Sequence, residues 1–172
     1  MRPVSSNNPR RPRPRGPAEE YRAKADHEAA RISRRLRDLG YPPPLGDLSF
    51  GVVLAVEPPA GPRLVEAVRR SLESVNLTGA YVTWSPAELL AEELLAANPS
   101  ILVAAGPRAA REIDSIGYPL VRKPFSEATE GTLFSWTGGV TGLLLPSLAP
   151  ALEDEAAKKR FWRAFLMLRS IA

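Results

Sequence analysis

Glu57 is the first residue whose type and place suggest chemistry, because it ends the apolar run FGVVLAV (50–56) and is followed by Pro58, Pro59 and Pro62. A carboxylate where a buried strand runs out can orient a water molecule. It can equally accept hydrogen bonds from backbone amides, since the prolines of this loop have no N–H to offer and the chain needs other partners. Trp84 closes a second run, AYVTW, where an indole can stack on a planar ligand or fill space. Gly106-Pro107-Arg108 opens a helix directly after a third run, SILVAA. A helix N-terminus with Arg108 and Arg111 beside it suits a phosphate, and the same residues also suit an ordinary strand-to-helix turn. The Lys-Ser/Thr pair of a P-loop is missing. Ser147-Leu148-Ala149-Pro150 follows a fourth run, VTGLLL (140–145). Arg122 and Lys123, in a less regular stretch, can touch a backbone phosphate or remain solvated.

Other chemistries are excluded by composition. The chain has no cysteine and one histidine, His27. Disulfides, thiolate nucleophiles and cysteine-held clusters are therefore ruled out, a histidine-rich zinc site cannot form within one chain, and a Ser-His-Asp triad would depend on His27. No metal and no cofactor is expected. No apolar run is long enough to span a membrane, and the Arg/Pro-rich start is unlike a secretory leader, so a cytoplasmic protein is expected and the sequon at Asn76 carries no glycan.

These residues must be positioned by elements that alternate along the chain. Residues 1–16 hold five arginines, among them Arg10, Arg11, Arg13 and Arg15, with four prolines; such a stretch buries too little to offset its ordering entropy and reads as a disordered basic arm. Residues 17–46 read as an N-terminal helix (17–39) and a proline-rich linker. The helix has Pro17 in its first turn, acidic residues at its start, arginines near its end and a thin apolar stripe of Tyr21, Ala25, Ala29, Ile32, Leu36 and Leu39. His27 is expected on its solvent face. Residues 47–172 read as one α/β domain. Strands at 50–56, 80–84, 100–105 and 140–145 alternate with helices at 63–75, 86–97, 107–116 and 151–171. Gly138-Gly139 reads as a hairpin turn between Phe134–Trp136 and the last strand. The pattern predicts a three-layer αβα sandwich around a central, mainly parallel four-stranded sheet, with the functional crevice at the carboxyl ends of the strands. Charge is divided unevenly: residues 1–40 carry 11 Lys/Arg and 5 Asp/Glu, a net +6, and the rest carry 12 and 14, a net −2.

Four segments, in order, resemble the uracil-DNA glycosylase superfamily, in particular the branch that normally holds an iron–sulfur cluster. VVLAVEPPAG is similar to that family's first motif, a strand running into Gly-Glu-Ala-Pro-Gly. GAYVTW is similar to its strand ending Val-Tyr-Ile-Thr-Asn. ANPSILVAAGPRAAREI resembles its third strand and Ala-rich helix, and LFSWTGGVTGLLLPSLAPALEDEAAKKRFWRAFLMLRS its final strand, His-Pro-Ser turn and helix. The resemblance covers roughly residues 50–172 and implies a uracil-DNA glycosylase-like fold, a DNA-facing crevice and DNA repair as the setting. It also implies a base pocket formed by Pro58, Pro59, Trp84, Ser147, Ala149 and Pro150, with Glu57 as the surviving polar group.

The departures from the family motifs bear on activity. A carboxamide reads the edge of a flipped base because it offers both a donor and an acceptor; Trp84 stands there with one donor. Ala149 stands where the family places a histidine. The stretch that carries a stacking Phe is shortened to Gly61-Pro62-Arg63, and the cluster cysteines are absent. Losing one such polar group costs about two to three powers of ten in rate. The expectation is therefore a catalytically degenerate module that binds DNA or RNA through the arm (Arg10, Arg11, Arg13, Arg15), the crevice and the cations Arg108, Arg111, Arg122 and Lys123. Two alternatives remain: a glycosylase of altered specificity using Glu57 and Trp84, and a protein-interaction scaffold with a protein partner.

Overall fold

A computed structural model describes residues 16–171. The expected arm, with Arg10, Arg11, Arg13 and Arg15, lies outside the described residues. The chain folds as α1 (Pro17–Asp38), β1 (Val52–Val56), α2 (Pro62–Ser74), β2 (Tyr81–Thr83), α3 (Ala87–Ala97), β3 (Ile101–Ala105), α4 (Pro107–Ser115), β4 (Leu133–Thr137), β5 (Val140–Leu145), α5 (Leu148–Ala151) and α6 (Glu155–Phe165). One five-stranded sheet runs in the order β2-β1-β3-β5-β4. Its first four members are mutually parallel, and β4 pairs antiparallel with β5.

Period-two burial divides the sheet between two helical layers. Val52, Leu54 and Val56 of β1 pack with Leu64, Val68 and Leu72 of α2 and with Phe161 and Phe165 of α6. Val53 and Ala55 face the other way, toward Ile32 and Leu36 of α1, Leu90 and Leu94 of α3, and Ile113 of α4. All five residues of β1 and of β3 are buried, which is why those runs are continuously apolar rather than alternating. Each buried Val, Leu or Ile contributes about 1.5–3 kcal/mol relative to exposure.

Local chemistry sets the element ends. Pro62 and Pro107 occupy first helical positions, where a missing N–H costs nothing. Asn98 ends α3 in the left-handed conformation, φ 43°. Between α1 and β1, the linker lays Leu45 against the outer edge of β2 in a bridge to Val82.

Two expectations are corrected. The sheet has five strands among the described residues, because Leu133–Thr137 turns back at Gly138-Gly139 and adds an antiparallel edge, with a register shift between Ser135 and Thr137. The Phe134 ring lies where Gly142 leaves it room, and meets Phe125 edge-on at 5.0 Å. The single closing helix expected over 151–171 is instead α5, α6 and a final 3-10 turn. Asp154 takes an extended conformation and its side chain accepts from the Ala157 N–H at 2.9 Å, capping a new helix within what the apolar period reads as one.

Candidate functional site at the strand ends

The carboxyl ends of β1 and β2, the first turns of α3 and α4, and Tyr41-Pro42 from the linker enclose a crevice of about 160 Å³. Glu57, Pro58, Trp84 and Arg108 line it, so the fold does bring these residues together. Pro59 is exposed beside it, joined to Pro58 by a cis peptide bond. Ser147 and Pro150 border a separate hollow that Pro107 and the paired Arg160 and Glu130 also line. Ala149 is exposed and lines neither space.

The Glu57 carboxylate is turned onto the start of α4. Its Oε2 accepts from the Arg108 backbone N–H at 2.7 Å. Gly106 adopts φ 104°, and a Cβ there would overlap the carboxylate. A negative group at this end of a helix satisfies an orphan N–H and complements the dipole. The position that a phosphate would take at this turn is thus held by Glu57. Glu112, which sequence reasoning did not single out, does the same for the neighbouring helix: its Oε2 accepts from the Ala87 N–H at 2.8 Å.

Trp84 is buried, with 4% of its surface exposed, inside the layer formed with α2, α5 and α6. Its Nε1 has no hydrogen-bond partner. The indole therefore fills core volume while bordering the crevice.

Beneath the crevice lies a polar cluster that was also missed. Glu93 of α3 is fully buried; it is bonded by the Tyr81 hydroxyl and by Thr83 Oγ1 at 3.0 Å, and Thr83 Oγ1 lies 2.8 Å from Ser85 Oγ at the crevice wall. Burial pushes the Glu93 carboxyl above its ordinary value, although the hydroxyls of Ser85, Tyr81 and Thr83 pull the other way, and the phenol of Tyr81 is pushed up by the same burial and by Glu93. The signal was present in AELLAEELLAA, where Glu93 shares a helical face with Leu89, Leu90, Leu94 and Ala97. Glu112 left no comparable trace, because its partner is 25 residues away.

The proposed phosphate contacts separate. Arg108 and Arg111 are exposed on α4. Arg122 is near the Gly138-Gly139 hairpin, and Lys123 is 6.0 Å from the Phe134 ring, so both sit with the β4–β5 hairpin. A wider groove of about 920 Å³ runs between α2 and α5–α6, and contains none of the residues expected at the site. No helix among the described residues is long and apolar enough to cross a membrane. No family model matches the chain, and none of the curated proteins matches it either.

Proposed function

We propose that this chain is a nucleic-acid-binding module, built on a uracil-DNA glycosylase-like frame, in which base excision has been lost. The observation that carries the binding half is the location of cationic charge. The segment 1–40 holds a net +6 against −2 for the rest. On α1, Arg22, Lys24, Arg34 and Arg37 are exposed, and none of them forms an ion pair among the described residues, whereas Arg31 and Arg35 pair with Glu28 and Glu92. A helix of this kind, continuing a basic arm, suits a polyanionic backbone read without regard to base.

The loss of excision is supported by the crevice. Its volume of about 160 Å³ is partly walled by a buried indole, and its one family-like carboxylate is engaged by a backbone amide. Neither Trp84 nor Ala149 supplies the paired donor and acceptor that reading a base edge requires.

The test is binding to single- and double-stranded DNA and to RNA across a salt series. Affinity should fall linearly with salt on logarithmic axes, and removing residues 1–16 should flatten that slope by about 0.9 per lost duplex-phosphate contact. No measurable affinity at low salt overturns the binding reading. Release of uracil, hypoxanthine, xanthine or an oxidised base from duplex DNA, abolished by Glu57→Gln, overturns the retired active site and returns the altered-specificity glycosylase.

A further inference from the structure

Glu93 is the residue that the proposed function leaves unused, and its surroundings are unusual for a carboxyl group. It is fully buried, and its hydrogen-bond partners are the hydroxyls of Tyr81 and Thr83, with Ser85 one bond further on. None of the ion pairs among the described residues includes it. The charged groups on every element around it are committed elsewhere or exposed. On α1, Arg31 and Arg35 pair with Glu28 and Glu92. On α3, Glu92 adds a like charge. On α4, Glu112 bonds the Ala87 N–H, Asp114 bonds the Phe125 and Ser126 N–H groups, and Arg108 and Arg111 are exposed. β1 presents only Val53 and Ala55 to this face, and β2 presents Tyr81 and Thr83.

This carboxyl sits at a structurally weak place. β2 is three residues long and lies at the edge of the sheet, paired with β1 on one side and touched on the other by the single Leu45–Val82 bridge. Its continuation, Trp84-Ser85-Pro86, forms the crevice wall and leads directly into α3. A buried charge without a cation is relieved most easily by letting water in, and water enters most easily where few strands must separate.

We propose that Glu93 is a pH-sensitive latch on the β2–α3 edge: with its proton it holds the edge shut, and on losing that proton it drives local opening of the crevice wall. The direction follows from proton linkage. In the closed edge burial keeps the proton on Glu93 to higher pH than in the hydrated, open edge. Opening therefore releases a proton and is favoured as pH rises. The proposal is independent of nucleic-acid binding.

Hydrogen–deuterium exchange of the intact chain, corrected for intrinsic exchange and followed from about pH 5 to about pH 9, tests it. The opening equilibrium of segment 80–97 should rise by up to about tenfold per pH unit and then level off where Glu93 ionises in the closed state. β3 and β5 should show no such rise. Glu93→Gln should make segment 80–97 flat with pH. Thr83→Val, which removes a hydroxyl that supports the ionised carboxylate, should move the levelling-off to higher pH, and it serves where Glu93→Gln does not fold. A flat profile in the native chain, a slope retained in Glu93→Gln, an unmoved plateau in Thr83→Val, or an equal rise in β3 and β5 each overturns the latch.

Discussion

Glu57 and Glu112 each commit one carboxylate oxygen to the first turn of a helix, and both lie on the crevice wall. That use has measurable consequences. Glu57→Ala should destabilise the chain by about 1 kcal/mol in urea unfolding, the usual loss for a helix cap. Gly106→Ala should cost more, about 1–3 kcal/mol, because φ 104° suits glycine and the new methyl overlaps the Glu57 carboxylate. In the double variant that overlap disappears, so the combined cost should fall below the sum; strict additivity would show that the two residues are not in contact. Glu93 yields a prediction of opposite sign to most acidic residues. Its carboxyl holds its proton more tightly folded than unfolded. Its penalty is therefore absent at low pH, grows as pH rises past the ordinary carboxylate value, and is complete above the raised one. Glu93→Gln should accordingly gain stability relative to the native chain as pH increases, read from urea midpoints at several pH values. A difference that stays constant or shrinks with pH would mean that Glu93 is not held protonated by burial.

At the scale of elements, caps and breaks rather than apolar period decided where helices end. The closing segment keeps helical periodicity through Ala151–Ile171, yet Asp154 interrupts it and starts α6 with its own side chain. Asp154→Ala should cost about 1 kcal/mol and fray the first turn of α6, seen as faster amide exchange at Ala157 and Lys158. α1 is anchored differently. Its buried residues are Ile32 and Leu36, both in its second half, while Tyr21 stays 71% exposed. Leu36→Ala should cost about 2–5 kcal/mol, with the loss concentrated in α1 and α3 in exchange measurements. A uniform loss across the sheet would instead show that α1 opens only together with the whole domain.

For the whole molecule, the two helical layers and the five-stranded sheet separate stability from surface charge. The sheet and its layers are built from apolar residues on both faces, whereas the net positive charge belongs to the segment 1–40. Removing residues 1–16 should therefore leave the thermal midpoint within about 2 °C while changing the salt dependence of nucleic-acid binding. A large fall in the midpoint would mean that the arm packs against the domain.

The alternation of elements, the parallel core of the sheet, the hairpin at Gly138-Gly139 and the meeting of Glu57, Trp84 and Arg108 at the strand ends were determined by sequence alone. Period, prolines and glycines act over a few residues, and helical crossovers between successive strands make those strands parallel. Tertiary structure decided what those side chains do there. Glu57 faces a helix N-terminus because Gly106 is bare, Trp84 is buried because it packs in one core layer with α2, α5 and α6, and Ser147 lines a different hollow together with Pro107, Glu130 and Arg160. The hydroxyl cradle around Glu93 likewise needs an edge strand and a helix brought together. Hydrogen-bond partners far apart in the chain are set by packing geometry, which no local pattern encodes.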